Sequence, residues 1–251
     1  MPDCRRLPAL FPWIVLLLCA LVVSHGRLRA QSFAPAAAPA TTSGESWRFD
    51  NLSRIGGHPV ALLGHPQLID TPWGRAVQFD GKADGLFLDA FPLAGATAYT
   101  WEVVFRPDAD GAEEQRFFHM QEQNPVTGQD TTNRLLTEIR LHGNQWCLDS
   151  HGTSMPSRAT ILVCDAAHLH PAGQWYRVAT VYDGHTLRNY VDGQLQGEAE
   201  FALAPMLGGR TSVGIRINSA YPFKGAVLAA RMTPRALAPA EFLPWPPPTG
   251  K

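Results

Sequence analysis

Apolar side chains recur at every second position in several stretches of the chain. In Thr100-Trp101-Glu102-Val103-Val104-Phe105, the residues Trp101, Val103 and Phe105 fall on one side. Leu135, Thr137, Ile139 and Leu141 alternate with Arg134, Leu136, Glu138 and Arg140, and over 212–217 Val213, Ile215 and Ile217 oppose Gly214 and Arg216. A period of two with one apolar face is what a half-buried antiparallel strand requires. Turn signals separate these runs: Asp80-Gly81, Asp110-Gly111, Asp183-Gly184 and Asp192-Gly193. Asp-Gly pairs tolerate the positive φ angles of tight hairpins. Only 166–170 and 239–243 read as single helical turns. The pattern predicts an all-β fold of two antiparallel sheets packed face to face.

Composition agrees, with 22 Gly and 21 Pro in 251 residues, a balance that favours strands and turns over long helices. Lys+Arg 21 against Asp+Glu 22 leaves no positive excess to attract nucleic acid. At the start, Arg5 and Arg6 precede an apolar run whose uninterrupted part, 13–23, is 11 residues long. That is short of the roughly 20 a spanning helix needs, so 1–30 is expected to be a secretory signal peptide, cut after Ala30. The mature chain is then secreted or otherwise extracytoplasmic, with no membrane span. An uncleaved anchor and a lipid-anchored Cys19 are the alternatives. Residues 31–46, mostly Ala, Pro, Ser and Thr, form a spacer, and the proline cluster opens a tail at 244–251. One domain, 47–243, lies between them.

Removing 1–30 leaves two cysteines, Cys147 and Cys164. A hairpin with its tip between Met155 and Pro156 sets them directly opposite each other, within disulfide reach. Two buried thiols on different strands is the alternative; an oxidising compartment favours the bond.

The order of segments resembles the laminin-G-like jelly roll of the concanavalin A-like lectin/glucanase superfamily. Gly74-Arg75-Ala76-Val77-Gln78-Phe79-Asp80-Gly81 is similar to the family's G-K-A-hydrophobic-x-F-D-G. Tyr99 to Pro107, ending here in Phe105-Arg106-Pro107, resembles its f-T-x-E/A-x-W/F-x-x-P strand. Trp175, Val178, Tyr182-Asp183-Gly184 and Tyr190-Val191-Asp192-Gly193 look like its W-x-x-V-x-x-x-Y-D-G and Y-V-N/D-G hairpin. Phe223-Lys224-Gly225, Arg231 and Leu237 with Glu241 resemble its closing segment. The resemblance implies a two-sheet antiparallel jelly-roll sandwich. It also implies a choice among sugar-binding modules, adhesion domains and glycan-cleaving enzymes, because fold does not settle function.

Glucanases of this superfamily carry several acids on one strand, in the pattern E-x-D-x-x-E, so that two carboxyls flank the scissile bond. Here the comparable strands hold one acid each, Glu102 and Glu138. Arg134 to Arg140 slightly resembles the R-T/S-E-L-R strand of jelly-roll alginate lyases, but their Q-I/V-H strand is missing. No G-x-S-x-G nucleophile elbow occurs.

The polar strand faces can instead make a binding surface. Arg134, Glu138 and Arg140 share a side, Phe117, His119 and Gln121 share another, and Arg216 and Asn218 a third. Together with Arg116, these residues would offer guanidinium, carboxylate, imidazole and amide groups to sugar hydroxyls or carboxylates on a concave sheet. The alternative is a solvated face with cross-strand Glu–Arg pairs. Trp47, Trp73, Tyr221 and Trp245 are candidate stacking platforms.

The expected function is an exported binding module, acting through the concave sheet face or the rim loops, whose partner is a carbohydrate or a cell-envelope component. A glycan-cleaving enzyme would use Glu138, His119 and Arg140, and an envelope protein-interaction domain is the third option. No cofactor is called for, except that the resemblance raises calcium, for which Asp108 and Asp110 are the candidate ligands in an acidic loop shared with Glu113 and Glu114.

Overall fold

The computed structural model describes residues 44–155, 160–162, 164–200 and 202–246. The signal peptide expected over 1–30, most of the spacer, Pro156 at the expected hairpin tip and the end of the tail lie outside the described residues.

The strands run, in chain order, β1 (Glu45–Arg48), β2 (Arg54–Ile55), β3 (His58–Pro59), β4 (Ala61–Leu63), β5 (Gln67–Thr71) and β6 (Gly74–Asp80). They continue as β7 (Gly85–Leu88), β8 (Tyr99–Pro107), β9 (Glu114–Gln123), β10 (Asp130–His142), β11 (Gln145–Thr153) and β12 (Thr160–Leu162). The last six are β13 (His170–Pro171), β14 (Tyr176–Tyr182), β15 (Thr186–Val191), β16 (Gln194–Glu200), β17 (Gly209–Val213) and β18 (Lys224–Thr233). Among the described residues, helix is confined to two 3-10 turns, Ala166–His168 and Pro239–Glu241, each within a stretch where sequence suggested one turn.

One sheet has the order β16-β15-β14-β8-β18-β6-β5, with β1 beside β18. The other runs β12-β11-β10-β9-β17-β7-β4, with β13 beside β11. Every pairing is antiparallel. Glu45 and Ser46, which composition assigns to the spacer, are paired with Met232 and Arg231 in β1.

The alternation places the core where the sequence predicts it. Trp101, Val103 and Phe105 of β8 and Leu135, Ile139 and Leu141 of β10 all join the main apolar cluster. Rings from the two sheets interlock there: Phe105 stacks on Phe117 at 4.4 Å, and Trp101 meets Phe118 edge-on at 5.0 Å. Each such burial contributes roughly 1.5–3 kcal/mol. One polar knot crosses the core, where Ser150 and Thr180 both donate to the Asn189 side-chain oxygen, at 2.7 and 3.0 Å. The Asp192-Gly193 turn joins β15 to β16 with φ of 47° and 86°, the positive pair a two-residue hairpin needs.

Two strand-level expectations need correction. The strand expected over 212–217 ends at Val213. Gly214 takes φ 83°, and a Cβ there would run into the Phe79 ring, so the chain turns out of the sheet at that point. The disulfide Cys147–Cys164 is present, with Cα atoms 5.3 Å apart, but the two residues are not directly opposed. The β11–β12 ladder pairs Ser150 with Leu162 and Gly152 with Thr160, one residue out of the symmetric register. Past that ladder, Asp165 caps the 3-10 turn by accepting from the Ala167 amide, which carries the chain away from β11.

Candidate functional site

The site is built on the outer face of the second sheet, and a bulge decides which side chains reach it. In the β9–β10 ladder Phe118 pairs with Thr137 and Arg116 with Glu138, leaving Phe117 as an extra residue. Such an insertion shifts the alternation by one. Phe117 and Phe118 are both fully buried in the core, so Phe117 does not share a face with His119 and Gln121 as the plain alternation implies. Beyond the bulge Glu114 and Arg116 join the outer face beside Glu138 and Arg140.

A chain of charges crosses that face. Asp149 accepts from Arg140 Nε at 2.9 Å, and Arg140 reaches Glu114 at 2.5 Å. Glu114 binds Arg116 at 2.8 Å, and Arg116 binds Glu138 at 3.0 Å. The two arginines hold the Glu114 carboxyl below its ordinary value. Burial pushes Glu138 up to about 7 against the pull of Arg116. The Arg116 guanidinium also lies over the Tyr221 ring, 3.7 Å from its centroid.

Arg216 arrives from the turn after Gly214. The Ile217 amide donates to His119 Nδ1 at 3.1 Å, which makes His119 the neutral tautomer with its proton on Nε2. That buried Nε2 has no hydrogen-bond partner among the described residues. Burial first, then Arg216 and Arg134, lower His119 to about 3. His151 falls to about 4 through burial and the same two arginines.

Arg116, Arg134, Leu136, Glu138, His151 and Arg216 line an open recess of about 170 Å³. Of the residues singled out by sequence, Arg116, Arg134, Glu138 and Arg216 reach it. His119 is buried beside it, directly across the ladder from Leu136. Gln121 instead donates to the Thr131 and Asn133 carbonyls, both at 2.8 Å, and holds that loop. Arg140 is spent on Glu114 and Asp149, and Asn218 is exposed in the turn and does not line the recess. His151 was missed. The signal for it is Gly143-Asn144, which turns β10 into β11 with His142 opposite Gln145 and so sets His151 opposite Leu136.

The remaining candidates sit elsewhere. Trp47 is buried in the core. Trp73 and Trp245 pack with Trp175 against the outer face of the first sheet. Tyr221 alone of the four borders the recess, through Arg116. Asp108 bonds Arg106 at 3.1 Å and Gln78 at 2.9 Å, while Asp110 pairs with Lys224 at 2.5 Å. Asp108 and Asp110 thus turn to separate basic or amide partners. The grouping with metal-ligand spacing among the described residues is His142 with Cys147 and Cys164, whose two sulfurs are joined in the disulfide.

A family model described as "Concanavalin A-like lectin/glucanases superfamily" matches residues 80–242, more than half of the chain. Among solved structures, domain 4 of an extracellular arabinanase from Geobacillus stearothermophilus, in complex with arabinotriose, is similar at 19% identity. That match covers 78% of this chain and 94% of the other, with a TM-score of 0.56. The receptor-binding domain of botulinum neurotoxin C/D mosaic serotype is 10% identical, with 80% of this chain and 49% of the other covered and a TM-score of 0.51. A pentraxin from Limulus polyphemus is 16% identical over 68% of this chain and 81% of its own, with a TM-score of 0.50. At these identities the likeness shows the fold alone. No curated protein sequence matches the chain.

Proposed function

The chain belongs to the concanavalin A-like lectin/glucanase superfamily, and from that premise we propose that it is an exported carbohydrate-binding module. Its binding surface is the outer face of the β9–β10–β11 sheet. The observation that carries this reading is the recess in which Arg116, Arg134, Glu138, His151 and Arg216 converge on one apolar residue, Leu136. Polar groups set around an apolar patch suit a sugar ring, which presents hydroxyls at its edge and C–H groups on its face. The similar arabinanase domain, seen with arabinotriose, supports the ligand class. A disulfide and the absence, among the described residues, of any helix able to cross a membrane are compatible with an extracytoplasmic location.

The test is retention of the purified chain on a panel of immobilised polysaccharides, beside a Leu136→Trp variant that fills the recess. Retention by the native chain that is lost in the variant, at equal thermal stability, supports the reading. Equal retention by both moves the site elsewhere, and no retention on any glycan overturns carbohydrate binding.

One observation favours a second reading. Glu138 borders the recess with its carboxyl at about 7, the range suited to a general acid or base. New reducing or unsaturated ends that appear with the native chain and vanish in Glu138→Gln would establish a glycan-cleaving enzyme. Binding without products excludes it for the glycans tried.

A further inference from the structure

Among the described residues, five arginines stand on or beside the outer face of the second sheet, and three are already matched by acids. Arg116 pairs with Glu114 and Glu138, Arg140 with Glu114 and Asp149, and Arg210 with Asp130 at 2.5 Å. Arg134 and Arg216 both line the recess, yet neither forms an ion pair with an acid among the described residues. Arg134 donates instead to the Thr132 carbonyl at 3.1 Å and lies 3.3 Å from His151 Nε2.

Among the described residues the recess holds a single partial counter-charge, which favours the charged form of Arg134 without pairing with it. Its one acid, Glu138, is already bonded to Arg116 and, at about 7, carries only part of a negative charge near neutral pH. His119 and His151 are neutral there, since burial and the two arginines depress both. Burial first and then Arg216 hold the Arg134 guanidinium below its ordinary value, so the two cations sense each other. Like charges held together in a half-buried recess are unfavourable until a counter-charge enters.

The placement of Arg216 is built in by the backbone. Its turn is closed by the Ser219 amide donating to the Arg216 carbonyl at 2.7 Å, and Ser219 and Tyr221 adopt φ of 59° and 56°. Positive φ at non-glycine residues is uncommon and persists where the surroundings impose it. The hydrogen bond from Ile217 to His119 then ties the turn to β9.

We propose that Arg134 and Arg216 form a subsite for the anionic group of an acidic sugar, so that the module binds uronate- or sulfate-bearing glycans in preference to neutral ones. This rests on the carbohydrate-binding reading of the same recess. Each guanidinium presents a planar fork of donors that matches a carboxylate or sulfate oxygen pair. The neighbouring His119 Nε2–H is a further donor without a partner among the described residues. Leu136 supplies the apolar surface for the ring that carries the charge.

The experiment measures affinity by calorimetry for polygalacturonate, dextran sulfate, neutral arabinan and poly-glutamate. It compares the native chain with Arg134→Gln, Arg216→Gln and the corresponding Lys variants, with a thermal melt on each. The proposal requires at least tenfold tighter binding to polygalacturonate or dextran sulfate than to arabinan, weakening as salt rises. Each Gln variant must lose at least tenfold on that polymer alone. The better of the two polyanionic glycans identifies carboxylate or sulfate as the group held. If a Gln variant fails to fold, its Lys counterpart, which keeps charge but loses the fork, must show the loss at an unchanged melting temperature. Equal affinity for arabinan, with the variants unaffected, overturns the anionic subsite and leaves carbohydrate binding standing. Equal affinity for poly-glutamate overturns it as a sugar site, and no affinity for any glycan overturns both readings.

Discussion

His119 Nδ1 accepts a hydrogen bond from the Ile217 backbone amide at 3.1 Å, and this contact ties the turn that carries Arg216 to the centre of the second sheet. His119→Ala removes the acceptor and leaves a partly buried amide without its partner. The expected loss is about 1–3 kcal/mol of stability, together with weaker ligand binding. His119→Gln, which can supply an acceptor, should recover part of both. Urea unfolding paired with calorimetry checks this; an unchanged midpoint in His119→Ala would remove the contact from the list of structural supports.

The same histidine makes stability depend on pH. His119 and His151 are lowered to about 3 and about 4 from an ordinary value of 6.5. Between those values and 6.5 the unfolded chain binds protons that the folded chain does not, so stability falls as pH drops through that window. Unfolding free energy measured from pH 7 to pH 4 should decline less steeply in His119→Gln than in the native chain.

Glu138 has the opposite sign. Its folded value of about 7 lies above the ordinary 4.5, so the folded state holds the extra proton and that contribution is lost as pH rises from 4.5 through 7. Relative to Glu138→Gln, the native chain should be at its best below pH 4.5 and lose ground steadily up to pH 7 and slightly beyond. A difference between the two that stays constant across this window would contradict the burial of this carboxyl.

Phe117 separates the bulged register from the plain one. Stacked at 4.4 Å on Phe105 and 5.7 Å from Phe223, it should cost about 3–5 kcal/mol when changed to alanine. A residue on the polar face would cost within about 0.5 kcal/mol. Denaturant midpoints decide between them.

Glu102 is fully buried on the first sheet, where it accepts from Arg231 Nε at 2.5 Å and from the Leu243 amide at 2.6 Å. Arg231→Ala leaves that carboxylate without its cation and should destabilise by about 3–5 kcal/mol. Replacing both by apolar residues, Glu102→Met with Arg231→Leu, should regain much of the loss, a comparison read from the same unfolding curves.

Local pattern carried most of the architecture. Strands at β8 and β10 with their inward faces, the Asp192-Gly193 hairpin, the two 3-10 turns and the pairing of Cys147 with Cys164 all follow from side-chain period, turn chemistry and spacing. Each depends on residues near one another in the chain, and burial of every second side chain leaves a two-sheet sandwich as the outcome. What the period cannot encode is a one-residue irregularity that arises from the partner strand. The bulge at Phe117 moved it into the core and set Arg116 opposite Glu138. The shifted β11–β12 ladder displaced the cysteines from direct opposition, and Gly214 ended β17 because Phe79, far away in sequence, fills the space a Cβ would need. The recess belongs to this second class. Arg134 and His151 share the β10–β11 hairpin, whose register Gly143-Asn144 sets locally, but Arg116 and Arg216 are brought beside them by the β9 bulge and by one hydrogen bond between His119 and Ile217, contacts that come into being only when the sheets assemble.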